Sequence, residues 1–78
     1  MARPLNQYET EQIRKALSEI PSIMQTVGAV QERVRRTKRG SKLNLSLWDT
    51  REKLLSQASF LLGNASAAIA YAATSEKV

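Results

Sequence analysis

Lys42-Leu43-Asn44-Leu45-Ser46-Leu47-Trp48 is the stretch on which the fold turns, because its leucines alternate strictly with polar residues. In an extended strand, a period of two places Leu43, Leu45 and Leu47 on one face and Lys42, Asn44 and Ser46 on the other. So short a strand has no stability alone. No second strand-like run exists in the 78 residues, so the expected partner is the same strand in another copy.

Upstream, Ile13, Ala16, Ile20, Ile23, Val27, Val30 and Val34 recur at spacings of three and four. That is one apolar helical stripe, widened by Leu17 and Met24, opening near Thr10 and Glu11. Pro21 interrupts it, so the helix is expected to be kinked there or split in two. Gly40 suits a left-handed cap after a basic last turn.

Downstream, Asp49 and Glu52 have capping-box spacing, and Leu54, Leu55, Ala58, Leu61 and Leu62 form the apolar face of a helix of about four turns. Gly63-Asn64 reads as a turn, Ser66 as the cap of a last helix over 67–73, and 74–78 as a fraying end. The same residues permit a rival. Positions 51, 54, 58, 61, 65, 68 and 72 keep a three/four alternation straight through Gly63, which fits one helix over 49–74 packed antiparallel on the first.

Charge is localised. Lys and Arg number twelve against seven Asp and Glu, and residues 31–53 hold eight of those bases against Glu32, Asp49 and Glu52, which is the whole excess of +5. Arg33, Arg35, Arg36, Lys38, Arg39 and Lys42 follow one another with no acid between them, a density that points to a polyanion. Basic residues complementing a helix C-terminus account for two or three of the six.

The composition also excludes chemistry. Without Cys or His there is no disulfide, Cys/His zinc site or Ser–His–Asp triad. The acids form no pair suited to acid/base work, and Gly28, Gly40 and Gly63 are isolated rather than gathered in a phosphate loop. A non-enzyme without cofactor or metal is expected. A chain this small with no staple is expected to self-associate. Met1–Arg3 leads into Pro4 and polar residues rather than an apolar signal segment, so a cytoplasmic location is expected. The charge-free run 54–75 is rich in Ser and Ala, and a membrane span is not expected.

The run K-L-N-L-S-L-W-D-T-R-E-K-L-L-S-Q-A-S-F-L-L-G-N-A-S-A-A-I-A-Y-A-A, residues 42–73, resembles the ribbon-helix-helix family of repressors and antitoxins in its order of strand, helix, glycine turn and helix. The resemblance implies an intertwined homodimer whose paired strands lie in the DNA major groove. It makes Lys42, Asn44 and Ser46 the base readers, and places phosphate contacts at Asn64 and Ser66 beside those of Arg33, Arg35, Arg36, Lys38 and Arg39. Leu43, Leu45, Leu47, Leu54, Leu55, Ala58, Leu62 and Ile69 become shared core.

The expected fold is therefore mainly α. A helical arm with a basic end occupies 1–40, and a ribbon-helix-helix unit for dimerisation and DNA binding occupies 41–78. The alternative is an all-α antiparallel hairpin that oligomerises. The corresponding functions are a small dimeric DNA-binding regulator, with DNA ahead of RNA and a possible protein partner for the N-terminal helix, or a helical-hairpin assembly subunit whose basic turn contacts RNA, a genome or an acidic protein. Trp48 is read as covering the end of the core, and Tyr8 and Tyr71 as packing or surface residues.

Overall fold

A computed structural model describes residues 3–74 and contains two helices, α1 (Gln7–Arg36) and α2 (Lys42–Thr74), folded into an antiparallel hairpin. No strand occurs among the described residues, which overturns the ribbon-helix-helix expectation and agrees with the all-α alternative. The boundary expected between 40 and 41 falls in the turn joining two helices that pack along their length, within principal extents of 57 × 19 × 15 Å.

The first helix begins earlier than the apolar pattern suggests. Asn6 is its N-cap: the Asn6 side chain accepts from the Glu9 N–H at 2.8 Å, and the Asn6 N–H donates to Glu9 Oε1 at 3.0 Å. This reciprocal box satisfies two donors that a helix start otherwise leaves unpaired. Glu9 is buried and also accepts from Arg3 Nη1 at 2.7 Å, while the Arg3 guanidinium lies 5.4 Å from the centre of the Tyr71 ring. The termini of the hairpin are thereby clamped together. The Arg3 hydrogen bond, followed by the Asn6 backbone N–H, holds the Glu9 carboxyl below its ordinary pKa.

Pro21 lies inside α1, which is assigned as one helix from Gln7 to Arg36. Its missing N–H frees the Leu17 carbonyl, and both residues are on the exposed side, where water can take that bond.

The helices meet along a single seam. From α1 it takes Ala16, Val27, Val30 and Val34, with Ile13, Ile20 and Ile23 half-buried; from α2 it takes Asn44, Leu47, Ala58, Ala65, Ala68 and Ala72, with Arg51, Leu54 and Leu61 half-buried. Val30, Val34, Leu47 and Leu54 pack together near the turn. Toward the termini the seam of α2 is alanine, which lets two helix backbones approach closely.

This seam explains why α2 does not break where turn residues invite it. Ending the helix at Gly63 would remove Ala65, Ala68 and Ala72 from α1. Burying three methyl groups stabilises by about 0.8 kcal/mol each, against roughly 1 kcal/mol for a glycine in a helix interior. Asp49 is likewise not a cap but an interior residue, 3.2 Å from Lys53 one turn on. Thr74 is the last residue of α2 and donates its hydroxyl to the Ala70 carbonyl at 3.0 Å; residues 75–78, where fraying was expected, lie outside the described residues.

The same seam shows why the alternating leucines mislead. On a helix, residues two apart point roughly 200° apart, so Leu43, Leu45 and Leu47 cannot share a face. Leu47 is buried, whereas Leu43 and Leu45 are exposed, as are Leu62 and Ile69 of the expected shared core.

Two measurements check this description. A Cβ at Gly63 would meet nothing within 4 Å, so Gly63→Ala is expected to raise unfolding free energy by about 1 kcal/mol in chemical denaturation. A loss of similar size would place residue 63 in a turn. For Glu9, a carboxyl whose pKa is lower folded than unfolded stabilises above its unfolded value and loses that effect as pH falls through the folded value. The melting-temperature gap between the native chain and Glu9→Gln is therefore expected to be widest above about pH 5 and to narrow progressively as pH falls below the ordinary carboxylate value of about 4.3.

Candidate nucleic-acid interface

At the hairpin tip α1 ends at Arg36, and Thr37 caps it with its N–H on the Val34 carbonyl at 3.2 Å and its hydroxyl on the same oxygen at 2.8 Å. Gly40 follows at φ +79°, the left-handed conformation anticipated for it, but inside the turn and four residues past the end of the helix. Ser41 opens α2, its hydroxyl accepting from the Asn44 N–H at 3.1 Å and its carbonyl from the Leu45 N–H at 2.9 Å.

Asn44 closes this turn. Its buried side chain accepts from the Gly40 N–H at 3.3 Å and donates to Thr37 Oγ1 at 2.9 Å and the Val34 carbonyl at 3.4 Å. The amide is thus consumed within the protein. Lys42 and Ser46 are exposed, on a helix rather than a strand, so the three residues expected to read bases do not form one face.

The basic cluster is assembled by the turn. Arg33, Arg35 and Arg36 occupy the last turn of α1, Lys38 and Arg39 the connection, and Lys42 the first position of α2; all six are exposed. Glu32 lies 3.3 Å from Arg35 and 3.5 Å from Arg36. Among the described residues Arg33, Lys38, Arg39 and Lys42 make no ion pair.

Helix dipoles divide these charges into two groups. The arginines of α1 sit at a C-terminus, where a cation is stabilised. Lys42 occupies the first turn of α2, where a cation is disfavoured and no acid stands beside it. Lys38 and Arg39 lie in the connection, between the C-terminus of α1 and the N-terminus of α2, whose opposite dipole ends oppose each other there.

Asn64 and Ser66, also expected at phosphates, lie 22 and 24 residues along α2 from Lys42, roughly 33–36 Å away. They are not part of the tip. Trp48 lies within the second turn of α2, 40% exposed, with the Arg51 guanidinium 5.3 Å from its ring centre. Arg51 enters the seam, and its Nε is buried without a hydrogen-bond partner. Position 51 opens the three/four series that fits a continuous second helix, whereas the turn roles of Thr37, Ser41 and Asn44 are absent from the sequence reading. Ser41 three residues ahead of Asn44 has N-cap spacing and could have revealed the helix start.

No described helix is long and apolar enough to cross a membrane. Comparisons with protein-family models, curated proteins and solved structures gave no match.

Because Asn44 holds the turn, Asn44→Ala is expected to lower stability by about 1–3 kcal/mol, the cost of orphaning buried hydrogen-bonding groups. Denaturant melts followed by circular dichroism would measure it; an unchanged midpoint would deny the amide this role.

Proposed function

We propose that the chain is a non-enzymatic, cytoplasmic helical hairpin that binds duplex nucleic acid through its basic tip. The observation that supports this most is the gathering of Lys38, Arg39 and Lys42 in and beside the turn, with no ion pair among the described residues and no acid in the first turn of α2. Like charges held close together are compensated when an anion arrives. Arg33, Arg35 and Arg36 extend the positive surface onto α1.

The binding mode follows from size. A single α-helix enters the roughly 12 Å major groove, but two helices side by side, 19 Å across their Cα atoms, are too broad to do so. The tip therefore contacts backbone, and contacts of that kind carry no sequence information. A duplex carries one charge per roughly 1.7 Å, so the width of the tip meets on the order of ten phosphates, enough for all six bases. Single strands offer fewer within reach.

Fluorescence anisotropy with duplex DNA of several sequences tests this reading. With six phosphates neutralised, log K is expected to fall against log salt with a slope of about −5 per protomer, nearly alike for every sequence. Lys38→Ala with Arg39→Ala should flatten that slope by about 2. Binding insensitive to salt, or unaltered by the paired substitution, contradicts the proposal.

A further inference from the structure

The two flanks of the seam differ. On one, Gln12, Glu19 and Thr26 of α1 run beside Thr50, Gln57 and Asn64 of α2, polar throughout the middle, with the exposed Leu5, Leu43 and Tyr71 closing the two rows at their ends. On the other, Leu17 and Met24 of α1 run beside Trp48, Leu55, Leu62 and Ile69 of α2, each set repeating every seven residues. Leu17, Leu62 and Ile69 line one groove with Ile13 and Ile20, so the two stripes lie on the same side of the hairpin. Leu17 is 73% exposed, Leu62 58% and Ile69 54%.

We propose that this flank is the contact surface for a second copy of the chain, giving a four-helix bundle. The hairpin alone encloses little, since among the described residues no large side chain is fully buried. From Trp48 to Ile69 the stripe is about 32 Å long at 1.5 Å per residue. Across a 19 Å hairpin that is roughly 600 Å² from each protomer, the lower end of what a stable specific interface buries.

The charge pattern fits a like partner. Between Leu17 and Gly28 on α1, and between Leu55 and Ala73 on α2, this side carries no charged residue to be desolvated, and Arg14 and Glu52, in the rows of Pro21 and Ser59, stand at the margins of the stripe. In an isologous contact residue i meets residue j and j meets i, and only a residue on the two-fold axis meets its own copy, so a middle without charges sets no like charges together there.

Small residues edge the same flank. Pro21 and Gly28 on α1, and Ser59 and Ser66 on α2, stand beside the large apolar side chains. A Cβ at Gly28 would meet nothing within 4 Å, so nothing inside the hairpin requires glycine in that helix interior, and its bare backbone leaves room for a neighbouring helix.

Sedimentation velocity of the full chain, with and without anionic vesicles, tests the proposal alongside Leu17→Glu/Leu62→Glu and the opposite-flank control Thr26→Glu/Gln57→Glu. The native chain and the control are expected at twice the 8.7 kDa chain mass, and the apolar-flank variant at the chain mass or unfolded. The native melting temperature is expected to rise with protein concentration, which a monomer would not show. A native chain that is monomeric and fully helical, or that pairs equally well with either variant, overturns the proposal, as does a monomer that binds the vesicles through this face. Lys38→Ala with Arg39→Ala should leave the dimer intact, so loss of DNA binding and loss of pairing are separable results.

Discussion

The buried amide of Asn44 is the interaction on which the rest of the hairpin depends. By accepting from Gly40 and donating to Thr37 and to the Val34 carbonyl, it joins the end of α1, the turn and the start of α2 in one side chain. Those bonds set where α2 begins relative to α1. Once Leu47 is seated against Val30 and Val34, each later seam residue of α2 follows at three or four positions and meets the next turn of α1. A shift of one residue at the turn would rotate α2 by about 100° and carry its alanine stripe out of the seam.

How much of this was legible depends on the span over which period is counted. Leu43, Leu45 and Leu47 match a strand three times in succession. Positions 44, 47, 51, 54, 58, 61, 65, 68 and 72 match a helix nine times, but the series begins with Asn44, whose polarity disguises it as a surface residue. The part from position 51 onward and the stripe of α1 were readable from spacing alone. The start at Lys42 was hidden because a polar residue at a seam position is explained only by hydrogen bonds that exist once the turn has formed. The cap at Asn6 was hidden differently: Asn6 and Glu9 have the spacing of a capping box, but they precede the first apolar residue of the stripe by one to two turns. Gly63 shows the converse, a residue with turn character whose modest cost the seam outweighs.

The basic segment was legible as a count and not as an arrangement. Six bases between residues 33 and 42 can be read directly, but their meaning changes once a helix ends and another begins among them. Arginines at the close of α1 serve the fold, since all three complement its C-terminus and Arg35 and Arg36 pair with Glu32. Lys38 and Arg39 in the connection and Lys42 at the opening of α2 make no ion pair among the described residues. The structure thus separates charges with a sufficient internal explanation from charges without one, and it is the second group that supports an external anion.

Tip and flank then divide the surface of the hairpin without competition. The bases cluster at one end of a 57 Å rod, whereas the apolar stripes run along its side, and Trp48, with Arg51 against its ring, stands between them. A seam built from valine near the turn and alanine near the termini keeps the rod thin. Thinness leaves most large apolar side chains outside, where they are costly to a monomer and available to a neighbour. The alanines that let α2 approach α1 so closely are therefore also the reason that Leu17, Leu62 and Ile69 find no cover within their own chain.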